Sequence, residues 1–309
     1  MSSQGTIVQL TENFRLNPDL GEFVSTIYSK AFRPQKVQAR RIAVAFSSVS
    51  RVESPQPTDE YIQILNAVHD FLLGLSNVML KRPQRLLSPP LITNRTVNSH
   101  SNDFHSAMDV VPRPLSLALI QLHTVSRKHR ENVGYELHVK AEAAVASALI
   151  ATIQEYLPGE DIFVATPHRI QRQAVKAALS AGHFDTSISL SKIFDNMFID
   201  GGKGKNTLKS TVTVDTVERL QGSEAAFVIC LFSLPQSHIA DLHFLLERRR
   251  LNVAISRAKS MCILISSAEV LRPSVGALTD EETAKGYTFL RAFADRAWSS
   301  NITVDIDAL

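Results

Sequence analysis

Only two cysteines occur in the 309 residues, Cys230 and Cys262, and both lie in apolar runs that read as buried strands. A disulfide framework or a zinc site is therefore not expected to organise this chain, and both residues read as core. No stretch approaches the run of about 18 apolar residues that a membrane span requires. The start, MSSQGTIVQLTENF, also lacks a basic region followed by an apolar one, so no secretory leader is expected. An intracellular setting without a membrane partner is the default reading. Excess charge is scarce too: 33 Lys and Arg against 30 Asp and Glu leave a net charge of +3, which permits a polyanionic partner without demanding one. No internal repeat or long low-complexity tract appears.

What is present is apolar material in a regular rhythm. Hydrophobic residues make up 44% of the chain, enough for a full core. Residues 6–32 carry Asn17-Pro18 and the periodic Leu20, Phe23, Val24 and Ile27, which predict a loop feeding a helix. Between 47 and 112 the pattern degrades among prolines, with one helix expected over Asp59–Leu75. From there strands and helices alternate. Leu115–Leu122, Asp161–Ala165, Thr211–Val214, Ala225–Phe232 and Met261–Ser266 read as strands, and Val139–Tyr156, Arg169–Ala181, Glu247–Ala258 and Asp280–Trp298 as helices. Strands that are apolar almost throughout belong in a mostly parallel sheet with helices on both faces, so the expected fold is α/β and doubly wound. Ligands of such folds bind beyond the carboxyl ends of the strands.

Four segments stand out for their chemistry. Leu10-Thr-Glu-Asn-Phe-Arg-Leu-Asn-Pro18 places an aromatic beside an arginine. Ile162-Phe-Val-Ala-Thr-Pro-His-Arg-Ile-Gln171 puts Thr166, Pro167 and Arg169 just after a strand. Thr213-Val-Asp-Thr-Val-Glu-Arg-Leu-Gln-Gly-Ser-Glu224 is a polar turn before a buried strand, and Glu247-Arg-Arg-Arg-Leu-Asn-Val-Ala-Ile-Ser-Arg-Ala-Lys259 concentrates cations on a helix. At 3.6 residues per turn, Arg250 and Arg257 fall on roughly one face of that helix, which would aim two guanidinium groups into one cleft.

In this order the segments resemble the second RecA-like motor domain of superfamily-one helicases, in the branch of the nonsense-mediated-decay and senataxin-like enzymes. The resemblance covers residues 6–46 and about 113–300, leaving 47–112 as an insertion and 301–309 as a tail. It implies a RecA-like, P-loop NTPase fold and a nucleotide site shared between two motor domains. Phe14 would stack on the nucleotide base and Arg15 would reach its phosphates, roles that suit an aromatic face and a planar fork of donors. Gln221, Gly222 and Glu224 would lie at the nucleotide, with Gly222 giving the backbone a close approach and Glu224 accepting from the ribose. Arg257 resembles the arginine finger that stabilises charge on the transferring phosphoryl group, assisted or braced by Arg250. Thr166, Pro167, Arg169, Thr216 and Val217 would contact single-stranded DNA or RNA, mostly through its backbone.

The phosphate-cradling half of such a site does not appear in the sequence. The tract Asp200-Gly-Gly-Lys-Gly-Lys-Asn-Thr207 has Ile199 at the first glycine position of a Walker A loop and Asn206 where Ser or Thr is required. Asp59-Glu60-Tyr-Ile-Gln63 imitates an acidic magnesium pair but follows prolines instead of a buried strand, and reads better as a helix start. ATP with magnesium is thus expected to be shared with a first RecA-like domain, without which the isolated chain would not turn over. The rival reading is a non-catalytic, strand-binding or regulatory module descended from a helicase. A small-molecule enzyme gains nothing, because no nucleophile–base set or metal-ligand spacing stands at a strand end.

Overall fold

A computed structural model describes residues 12–13, 18–24, 33–34, 39–52, 59–80, 115–128, 133–182, 211–220 and 222–309. Phe14, Arg15, Gln221 and the Gly-Lys tract at 200–207 lie outside the described residues. Near the start, Glu12–Asn13 (β1) pairs in parallel with Arg33–Pro34 (β2). The main sheet contains Leu117–Val125 (β3), Ile162–Thr166 (β4), Val212–Thr216 (β5), Ala225–Leu231 (β6), Ala258–Ser267 (β7) and Trp298–Asp305 (β8). Their order is β5-β4-β6-β7-β3-β8, and every neighbouring pair is parallel.

Burial along each strand follows its place in the sheet. β4 and β6 are buried at every residue, whereas the edge strands β5 and β8 mix buried with exposed or half-buried positions. Central strands covered on both faces need apolar residues throughout, and edge strands do not. Alternate residues then feed two cores. Ile120, Val164, Ile229 and Ile263 point into one, with helices Ala39–Phe46 (α2), Glu60–Leu80 (α3), Tyr135–Tyr156 (α4) and Arg169–Ala181 (α5). Leu119, Phe163, Val228 and Leu264 point into the other, with Pro18–Val24 (α1), Leu242–Leu245 (α6), Arg248–Ile255 (α7), Ala268–Leu271 (α8) and Glu281–Arg296 (α9). Cys230 and Cys262 meet in the second core, fully buried with sulfurs 3.8 Å apart.

Two stretches set apart from the repeating pattern in the sequence are built into the core and the sheet. α3, expected within an insertion, runs five residues past Leu75 and buries Ile64, Val68, Phe71, Leu72 and Leu75 in the first core. Gly74 lies so close to the Trp298 ring that a Cβ there would approach it to 2.7 Å. The expected tail begins inside β8, which pairs with β3 from Ala118↔Trp298 to Val125↔Asp305. Beyond that strand, Asp307 accepts from Ser126 Oγ and from the backbone N–H groups of Arg127 and Lys128. The period-two pattern of Ile302, Val304 and Ile306 is the mark of a strand with one buried face, too short to stand out in the sequence.

Candidate functional site

The connection from β5 to β6 organises the site. Both strands run the same way, so the connection must cross the full height of the sheet; its described parts are one 3₁₀ turn, Val217–Leu220, and the loop at Gly222–Glu224. Gly222 sits in that loop at φ 89°, and a Cβ there would meet nothing within 4 Å. Its left-handed backbone favours glycine.

α7 lies along this crossing, and its arginines grip it at two places. Leu251, Ala254 and Ile255 anchor the helix in the second core. At its far end the helix stops at Ile255, and Ser256 and Arg257 form a tighter turn in which Arg257 N–H donates to Ala254 O at 3.2 Å. Arg257 therefore lies just beyond the helix that carries Arg250, and both side chains reach the same crossing, Arg250 at Glu218 and Arg257 at Ser223. Arg257 Nη1 reaches Ser223 O at 3.4 Å, its Nε donates to Val253 O and its Nη2 to Ser256 Oγ. The adjoining Glu224 pairs with Lys259 Nζ at 3.3 Å.

Arg250 is held quite differently. Its side chain is 12% exposed and pairs with Glu218 at 2.9 Å and Glu247 at 3.2 Å. Nη1 also donates to Phe244 O at 2.6 Å, and the guanidinium lies 3.8 Å from the centre of the Phe244 ring. Burial pushes the Glu218 carboxyl up, but hydrogen bonds from Arg250 and Thr216 hold it below the usual range.

At the carboxyl ends of β4 and β5 the expected strand contacts divide. Arg169 is exposed and Thr216 is half-buried, whereas Thr166, Pro167 and Val217 are buried. Thr166 Oγ1 donates to Asp215 O at 3.3 Å, so its hydroxyl is occupied within the fold. Asp215, not singled out in the sequence, pairs with Arg172 at 2.9 Å and lies 3.9 Å from Arg219.

With this geometry in place, the comparisons decide the family. Residues 75–269, more than half of the chain, match the family model described as an AAA domain. The chain belongs to the AAA domain family. The AAA domain here is a motor domain of superfamily-one helicase type with a RecA-like α/β fold. It is 28% identical over 200 residues to the Saccharomyces cerevisiae protein named "Putative ATP-dependent RNA helicase ECM32". That match covers 59% of this chain and 18% of the relative, so the AAA domain chain spans well under two thirds of the relative's length.

The AAA domain also holds a buried polar network that the motifs only hint at. Fully buried Glu142 of α4 accepts from Ser233 Oγ at 2.6 Å and from Gln171 Nε2 at 2.8 Å. Gln171 in turn accepts from His168 N–H at 3.1 Å, fixing the turn that presents Arg169. His138 Nε2 lies 2.9 Å from Ser233 Oγ. Burial pushes Glu142 up to about 7 and His138 down to about 4. Both lie too deep for a substrate to reach, so the likeness to a Glu–Ser–His catalytic set is geometric only. A lone carboxylate in the apolar run Ala141–Ile153 was the available sequence signal. On its outer side, His168 packs on Phe244 at 4.8 Å, linking this network to the Arg250 bracket.

Proposed function

We propose that this chain acts as the second motor domain of an ATP-dependent helicase, supplying the arginine finger and part of the single-strand track. The observation that carries the reading is the arrangement of α7 along residues 217–224, with Arg257 set against the loop that leads into β6. Arg257, Gly222 and Glu224 would face a nucleotide held between two domains, joined there by Gln221, Phe14 and Arg15. The residues present suit that ligand: an arginine fork and a lysine–glutamate pair border an open glycine turn. ATP with magnesium, when bound, supplies the phosphoryl group whose transfer drives the motor. Arg250, already committed to two carboxylates and a ring, serves as a brace that holds α7 against the crossing. Arg169 and Thr216 would contact the backbone of single-stranded DNA or RNA, with the first RecA-like domain contributing the phosphate cradle.

The test uses the full chain, alone and together with a motor domain that carries G-x-x-x-x-G-K-[ST]. Strand binding is measured by fluorescence anisotropy and turnover by phosphate release. The expected result is strand binding by the chain alone and strand-stimulated turnover only in the pair, with Arg257→Ala removing the turnover. Unchanged turnover in Arg257→Ala overturns the finger assignment. Strand binding without turnover in the pair would favour the non-catalytic module.

A further inference from the structure

Asp215, the second-last residue of β5, collects cationic groups at the edge where the strand track is proposed. Its carboxylate accepts from Arg172 Nη1 at 2.9 Å and from Thr216 N–H at 2.8 Å, and Arg219 Nη1 stands 3.9 Å away. Arg172 comes from the first turn of α5, 43 residues before Asp215 in the chain, and Arg219 from the 3₁₀ turn after β5. The side chains of Asp215 and Arg172 are 24% and 21% exposed and that of Arg219 is 65% exposed, so the cluster opens to solvent on the Arg219 side. Burial pushes the Asp215 carboxyl up, yet the hydrogen bond from Arg172 and the neighbouring charges hold it below the usual range, so it is anionic at neutral pH. Glu218, the nearest other carboxylate along the chain, is committed to Arg250.

A carboxylate and a phosphodiester offer a guanidinium the same arrangement of anionic oxygens. We propose that Asp215 stands in for a backbone phosphate, keeping Arg172 and Arg219 engaged until the phosphodiester of a single strand displaces it. The residue thereby sets strand affinity: every binding event breaks an internal ion pair before it gains an external one. This rests on the strand track proposed above. The ligand is the phosphodiester backbone of a single strand, and free phosphate shares its chemistry.

The test compares the full chain with Asp215→Asn, which keeps the shape and an acceptor for Thr216 N–H. Anisotropy is read on a fluorescent oligo(U) and oligo(dT) across a salt series, with inorganic phosphate as competitor in a second arm. Asp215→Asn is expected to bind strands about fivefold tighter. Its log affinity should fall with log salt more steeply by about 0.7, the signature of one further neutralised phosphate on a single strand. Glu281→Gln, which removes one negative charge on distant α9, is expected to change neither quantity, and Asp215→Asn/Arg172→Ala should lose the gain. Inorganic phosphate that competes no better against the variant points to the strand; phosphate that binds the variant with the same gain overturns the assignment to a strand. Equal or weaker strand binding by Asp215→Asn at an unchanged salt slope makes the pair a scaffold and overturns the proposal alone. Strand binding by neither protein overturns the track and the proposal together.

Discussion

Arg250 lies in the short helix α7 and Arg257 just beyond its end, and both touch the crossing between β5 and β6, yet they are held differently. Arg250 is enclosed by Glu218, Glu247 and Phe244, with its charge balanced inside the fold. Arg257 is steadied by the backbone carbonyls of Val253 and Ser223 and the hydroxyl of Ser256. The same residue type thus meets two carboxylates and a ring at one position, and two carbonyls and a hydroxyl at the other.

The sharpest test of this contrast is Arg257→Ala in a complete motor, where strand-stimulated turnover should fall about 10³-fold while the urea midpoint of the chain stays unchanged. A loss of stability matching that of an Arg250 substitution would break the contrast. The next largest effect is expected from Gly286→Ala in the middle of α9, where a Cβ would overlap the backbone carbonyl of Leu246, just ahead of α7. Overpacking against backbone should cost about 3 kcal/mol in urea unfolding. Arg250→Ala should cost about 2 kcal/mol by the same measurement, through lost hydrogen bonds and packing.

A pH series extends the comparison to the buried network beside Arg169. Glu142 is raised from 4.5 to about 7, so the folded chain holds its proton longer, and the Glu142 contribution to stability falls as pH rises through that window. His138 is lowered from 6.5 to about 4, so the unfolded chain binds the proton first, and its contribution rises with pH through that window. The two trends oppose each other. Relative to the unaltered chain, Glu142→Gln should gain about 2 kcal/mol between about pH 5 and pH 6.5, and His138→Gln should lose a similar amount. Parallel profiles for all three proteins would exclude these groups as the titrating pair. The smallest expected effect is Phe244→Leu, which removes the ring under Arg250 and should cost about 1 kcal/mol.

The helices and strands from residue 115 onward were largely legible, because their periodicities are long and their central strands are continuously apolar. α5 was read to its end residues, Arg169–Ala181, and in the structure a left-handed Gly182 closes it. The place of α3 was not legible: prolines at 55, 57, 83, 89 and 90 flank it and mark a break in pattern without revealing what the helix packs on. β8 was hidden for a related reason, since an edge strand with one buried face carries few apolar residues. In the candidate site, residue types drew attention to Arg257 and Gly222, but the partners of Arg250, the occupied hydroxyl of Thr166 and the Asp215 cluster come from elements far apart in sequence.

The sequence by itself determined the fold class, the order of the elements and the segments that meet beside α7, because local periodicity and residue spacing depend on near neighbours. Only the tertiary structure decided what encloses Arg250 and what steadies Arg257, that Gly222 has a left-handed backbone, and that Asp215 engages two arginines. Those outcomes depend on distances between segments that the sheet brings together, and no spacing along the chain encodes them.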